Sequence, residues 1–281
     1  MTLPLVVGVD GSDSSLRALD WAADEALRHG LPLRLVHASL WERYEGALPS
    51  VDPGRPAEQV MAEHIVASAA ERAERRAPEV KVTTDIVPQD AATALVHESD
   101  LAALLVTGSR GRGQLAAMLL GSVGLTVAGQ ARCPVVVVRG DRAGVSGTHG
   151  RILLGLGDAD TDADAVRFAF REAEARDCAL DVVHAWRSPA HGTRADDGQA
   201  AAARLDALLA DAVAAHPRVR THRRPREGPA GRILVELSAA ADLVIVGTQH
   251  RTARLGLQLG PVGHTLLHHA QCPVATVPRQ A

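Results

Sequence analysis

Along residues 1–140, short runs rich in Val, Leu and Ile alternate with longer segments in which apolar residues return every three or four positions. The runs are LVVGVD (5–10), LRLVHA (33–38), KVTTDIV (81–87), LLVTG (104–108) and PVVVVR (134–139). Near-continuous apolar runs of this length predict strands buried on both faces, as in a parallel sheet. The segments between them, Ser14 to His29, Ala57 to Arg76, Ala91 to Glu98 and Val123 to Ala131, predict the helices that cover such a sheet.

The same order then recurs. Displaced by 147 positions, VVGVDGS (6–12) falls on LLGLGDA (153–159) and LRLVHAS (33–39) on LDVVHAW (180–186). Late in each half the displacement is 139, and ARCPVVVVR (131–139) meets AQCPVATVP (270–278), so the second copy is eight residues shorter in its middle loop. A length of 281 residues suits two domains, each with a core of its own. The expected fold is α/β: two tandem open five-stranded parallel sheets flanked by helices, over 1–140 and 149–281. The Gly- and Ser-rich stretch GDRAGVSGTHG (140–150) reads as the linker.

Composition narrows the function. With 46% hydrophobic and 22% charged residues the chain is expected to fold, and a net charge of -3 with 2% aromatics argues against nucleic acid as a partner. No apolar run is long enough to span a bilayer, and MTLPLVVGVDGS lacks the features of a signal peptide, so a cytoplasmic protein without membrane contact is expected. Cys133, Cys178 and Cys272 are too scattered for disulfides or a zinc cluster and read as reduced core thiols. Lys81 is the only lysine, so no lysine clamps a phosphate near the glycines discussed next.

Those glycines lie in GSRGRGQLAAMLLGS (108–122), a G-x2-G-x9-G-S pattern that follows the fourth strand and precedes a helix. In an open parallel sheet a ligand sits beyond the carboxyl ends of the strands where strand order reverses, and the first and fourth strands can share that crevice. Gly108 and Gly111 let backbone approach a ligand; Gly121 and Ser122 stand where amides and dipole of a helix start favour an anion. Any one glycine alone reads equally as a turn or a cap, but the full spacing points to a phosphate chain held by backbone amides. G-x4-G-K-[ST] is absent, and GSRGRG, after a late strand, is not the dinucleotide fingerprint.

Taken together, VGVDGSDSS, LVHA, the glycine pattern and CPVVVV resemble the universal stress protein (USP) family, as a tandem pair covering essentially the whole chain. The resemblance implies an adenine nucleotide alpha hydrolase-like sheet of flavodoxin-like layout in each half, an internal pseudo-dimer of the halves, a homodimer as a further expectation, and ATP in members that keep the motif. Val9 and Asp10 would then lie near the adenosine, with the Asp10 carboxylate toward ribose or base, and Ala38 would meet adenine through its backbone. Gly108 would lie by the ribose, and Gly111, Gly121, Ser122 and Val123 would hold the phosphates, bridged by Mg2+. Arg110 and Arg112 are further phosphate candidates, with solvated loop arginines as the alternative. Ala103 departs from the family's frequent carboxylate before the fourth strand.

The second copy breaks the pattern. Asp10 becomes Gly157, Gly111 becomes His250 and Ser122 becomes Pro261, while Gly247 and Gly260 are retained. A ring at 250 and a proline at 261 remove room and donors, so the second half is not expected to bind ATP in the usual way. Asp158 is a poor substitute for Asp10, since one step along a strand turns the side chain to the other face. His264, His268 and His269 read as a histidine group rather than a metal site, Arg218 to Arg226 as a charged edge strand, and Asp158, Asp160, Asp162 and Asp164 as a helix start. The expected function is nucleotide-responsive stress regulation through an unknown protein partner, with at most slow ATP hydrolysis. The alternatives are a structural module without nucleotide or an adenylating enzyme, whose S-G-G-x-[DS] signature GVDGSDSS lacks.

Overall fold

The structure, a computed structural model, describes residues 2–40, 57–109, 121–157, 162–186, 194–248 and 259–279. It divides into two compact units, Met1–Val138 and Arg139–Ala281. In the first, β1 (Leu5–Gly8), α1 (Asp13–His29), β2 (Leu33–Ala38), α2 (Ala57–Arg76) and β3 (Val82–Val87) are followed by α3 (Ala91–Glu98), β4 (Leu104–Gly108), α4 (Ser122–Gln130) and β5 (Val135–Val138). The second opens with a short α5 (Arg142–Val145) and continues β6 (Arg151–Leu156), α6 (Ala163–Ala175), β7 (Ala179–Trp186), α7 (Arg194–Ala215) and β8 (Thr221–Glu227). It ends with α8 (Ala230–Ser238), β9 (Leu243–Thr248), α9 (Pro261–His269) and β10 (Val274–Pro278).

All strands within each unit pair in parallel. The orders are β3-β2-β1-β4-β5 and, in the same sense, β8-β7-β6-β9-β10. Flavodoxin-type sheets reverse between their first and third strands; here the reversal lies between first and fourth. The displacements read from sequence are the strand registers: Leu5 faces Leu104 as Ile152 faces Leu243, and Leu33 faces Val82 as Leu180 faces Thr221.

Local chemistry explains the element ends. Ser12 caps α1 by accepting from Ser15 N, and Gly30, in the left-handed region at φ 61°, closes it with amides returning to Ala26 and Leu27 carbonyls. β1 stops at Gly8, two residues before the sequence pattern ends. Val9 N still donates to Val36 O at 2.9 Å, but the Asp10 carboxylate folds the next residues into a turn by accepting from Ser12 N.

The stretch expected to be a linker, 140–150, is built into the second unit. Gly140 has φ 97°, and a Cβ there would lie 2.1 Å from Gln271 O. Asp141 N donates to Gln271 O, and the Asp141 carboxylate caps α5 through Gly144 N at 2.8 Å. The composition suggested a tether because glycine also serves such close approaches.

Packing solutions recur at equivalent positions. Leu95 of α3 lies over Gly8, whose Cβ would come 2.8 Å from Cδ1; Leu234 of α8 lies over Gly155 with a corresponding 2.6 Å. Ser99 Oγ accepts from Arg132 N at 3.0 Å, and Ser238 Oγ from Gln271 N at 2.9 Å. One ion pair recurs with its charges exchanged. Arg34 on β2 reaches Asp85 on β3 at 2.7 Å, whereas Asp181 on β7 reaches Arg224 on β8 at 3.2 Å.

Candidate functional site

Parallel strands bring the ends of β1 and β4 side by side, and the starts of α1 and α4 follow those ends. The β1–α1 turn is a compact polar network. Asp10 Oδ1 accepts from Ser12 N at 2.9 Å, Asp10 N donates to Ser15 Oγ at 3.3 Å, and Ser15 Oγ donates to Ser12 O at 2.9 Å. Gly11 supports the turn with φ 78°. Val9 is buried, and its carbonyl lies 2.7 Å from Nδ1 of buried His37. A carbonyl only accepts, so Nδ1 is the protonated nitrogen. His37 thus fixes the strand end that carries Val9 and Asp10. The recurrence of LVHA as VVHA marks His37 as well as Ala38. Ala38 is the last residue of β2, half-buried and opposite Val87.

Gly108 ends β4 where helix α1 touches it: a Cβ would lie 2.6 Å from Ser14 Oγ and 2.7 Å from its backbone. The missing side chain therefore seats the first turn of α1 against β4, a packing role the sequence did not disclose. Ser109 N donates to Val138 O at 3.2 Å and Ser109 O accepts from Gly121 N at 2.9 Å, which brings the two ends of the glycine segment together. Gly111, Arg110 and Arg112, named from sequence, lie outside the described residues. Gly121 has the extended conformation of an N-cap, φ -65° and ψ 149°, and α4 begins at Ser122 and Val123 with no side-chain cap. A glycine cap brings no side-chain acceptor for the first-turn amides, and the exposed Ser122 hydroxyl stands beside them.

The second crevice differs on both sides. Gly157 N donates to Asp162 Oδ2 at 2.7 Å, Asp162 being buried just before α6. Gly260 caps α9 as Gly121 caps α4, but Pro261 stands first in the helix and has no N–H to offer. His250, Asp158 and Asp160 lie outside the described residues.

The remaining sequence candidates resolve into structural roles. Ala103 has its equivalent in buried Asp242, which accepts from His149 N at 2.8 Å and Arg151 N at 3.1 Å. Pro4 is the first-half equivalent of Arg151 and has no such N–H, so one of the two donors that Asp242 serves is missing beside Ala103. On edge strand β8, Arg224 and His222 face Asp181, and Arg223 pairs with Asp206 at 2.6 Å. His264 and His268 stack with ring centroids 4.5 Å apart, and burial, more than the neighbouring His264, His269 and Arg139, pushes the His268 pKa down. All three cysteines are buried thiols, and burial pushes Cys133 and Cys272 up to about 12. Among the described residues no helix is long and apolar enough to cross a membrane.

A doubly wound α/β unit with a crevice at its strand reversal, present twice, defines a class of small-ligand-binding folds. The chain belongs to the universal stress protein family, whose model matches residues 1–139 and again 148–278. A universal stress protein of Mycobacterium tuberculosis is 32% identical over 96% of this chain and 95% of its own. The crystal structure of a universal stress protein from Archaeoglobus fulgidus has a TM-score of 0.73 at 17% identity, covering 99% of this chain and 98% of that one. A solved universal stress protein in complex with cAMP matches 49% of this chain at 30% identity, with a TM-score of 0.38.

Proposed function

We propose that the first half binds ATP together with Mg2+, and that the chain is a cytoplasmic nucleotide-responsive regulator rather than an enzyme. The observation that carries this reading is the glycine-capped start of α4, which follows β4 at the strand reversal and offers first-turn amides and the Ser122 hydroxyl to an anion. The residues present fit a phosphate chain. Backbone amides at Ser122 and Val123 and the helix dipole supply donors without a lysine. Val9 and Asp10 border the other side of the crevice, held by His37 and Ser15. Bound Mg2+ would offset phosphate charge.

Rapid hydrolysis is not expected. Asp10 is engaged in its turn through Ser12 N, and Lys81 immediately precedes β3. The second half serves as a built-in mate of the first, and a protein partner reads whether nucleotide is bound. For ATP to act as a signal it must favour one conformation over another.

Denaturing freshly purified protein and quantifying the released nucleotide tests this reading. About one ATP per chain is expected by this one-crevice count, and none from a Gly111→His, Ser122→Pro variant. A chain that carries no ATP and takes none up with magnesium would refute the proposal; a robust steady-state ATPase rate would refute its non-enzymatic part.

A further inference from the structure

Both halves place a carboxylate in the turn from first strand to first helix, but at opposite ends of it. In the first half it belongs to Asp10 at the strand end, and Ser15 Oγ, five residues on, accepts from Asp10 N at 3.3 Å. In the second, Gly157 stands for Asp10 and Asp162 for Ser15, and Asp162 Oδ2 accepts the same amide at 2.7 Å. A Cβ on Gly157 would lie 3.6 Å from that oxygen. The Asp162 carboxylate therefore reaches back to where a side chain at 157 would begin. A carboxylate at 157 would set its charge against that of Asp162.

Capping alone does not require this exchange. Ser15 holds the amide with a neutral hydroxyl, whereas Asp162 is only 5% exposed, and burying an ionised group costs more than burying a hydroxyl. The adjoining strand differs too. His37 Nδ1 meets Val9 O at 2.7 Å, but Nδ1 of its equivalent, His184, has no partner among the described residues although the side chain is 6% exposed. The phosphate side has changed in the opposite direction, because Pro261 deprives α9 of a first-turn donor.

We propose that Asp162 replaces Asp10 in the second half, and that the second crevice binds an uncharged, hydroxyl-bearing ligand of the nucleoside class rather than a nucleotide. The carboxylate accepts from ligand hydroxyls, and His184 Nδ1 supplies a further polar contact near the end of β7. This rests on the reading of the first crevice as a nucleotide site, since the second is its equivalent.

Equilibrium dialysis with labelled adenosine tests it on the full chain, first saturated with ATP and magnesium, then as an Asp10→Asn variant. About one adenosine per chain is expected in both, weakened about tenfold or more by Asp162→Ser, as for loss of a charged hydrogen-bond acceptor. That substitution installs the first half's residue at the helix start; should it lower the unfolding midpoint, Asp162→Asn, which keeps an acceptor for Gly157 N, takes its place with the same expected loss. No uptake in either chain, uptake indifferent to residue 162, or two ATP per chain displacing adenosine overturns the proposal. Failure of the ATP reading looks different: the ATP titration is flat, while the Asp10→Asn chain still reports adenosine in the second crevice.

Discussion

The two halves agree in their core packing and differ where the first and fourth strands end. Leu95 over Gly8 and Leu234 over Gly155 are the same contact made twice, as are the Ser99 and Ser238 hydroxyls that hold Arg132 N and Gln271 N. At the strand reversal, by contrast, Asp10, Ser15 and Ser122 give way to Gly157, Asp162 and Pro261. Core packing ties a residue to many neighbours at once, so change there is penalised in either half. Residues at the strand ends have fewer such ties, and the two halves differ there.

Between these extremes stands the exchanged ion pair. Arg34 is shared by Asp85 and Glu98, at 2.7 and 2.8 Å. Asp181 is shared by Arg151, His222 and Arg224, at 2.7, 3.0 and 3.2 Å. The pairing survives with its polarity inverted, which also sets like charges against any wrong match of β2 with β8 or β7 with β3.

That inversion gives the sharpest test. Asp181→Arg buries a cation among Arg151 and Arg224 and is expected to cost about 3–5 kcal/mol in chemical denaturation. Adding Arg224→Asp should return part of it; a double variant no better than the single one would show that the two positions are not coupled. Leu95→Ala and Leu234→Ala, each emptying a buried site over a glycine, are expected to cost about 2–5 kcal/mol apiece. Their near-equality is the point, and a gap of more than about 2 kcal/mol between them would break the equivalence of the two cores.

The smallest effect separates the halves by pH. Hydrogen bonds from the Thr93 side chain and backbone hold the Asp90 carboxyl at the start of α3 below its ordinary range. A depressed carboxyl stabilises above its unfolded pKa and loses that contribution as pH falls through its folded one. Pro229, at the equivalent start of α8, has no side-chain cap to lose. Amide exchange in the first turn of α3 should therefore quicken below about pH 4 relative to that of α8. Equal acceleration in both helices would mean that Asp90 is not the cause.

Much of the fold was legible because a repeat reads its own register. Once VVGVDGS lay on LLGLGDA and ARCPVVVVR on AQCPVATVP, the partners of nearly every strand residue in one unit followed from the other. The glycine pattern likewise marked the start of α4, which Gly121 caps. The exchange between 157 and 162 was not legible, because a fixed displacement compares residues column by column. A carboxylate that leaves one column and returns five positions later registers as a loss, and although Asp162 stands at the start of α6 as expected, its contact with Gly157 N shows only in the fold. Residues 140–150 misled for a related reason: composition cannot distinguish a glycine that tethers from one pressed against Gln271.

The sequence by itself determined the alternation of strands and helices, the tandem repeat, the buried runs that demand a parallel sheet, and the family. These depend on periodicity and local propensity, which a linear pattern carries in full. Only the tertiary structure decided that Gly108 exists to admit Ser14, that His37 fixes Val9 and that Asp162 turns back onto Gly157. Each of those is a contact between atoms whose distance is set by how a helix settles on a sheet, a quantity no single stretch of the chain contains.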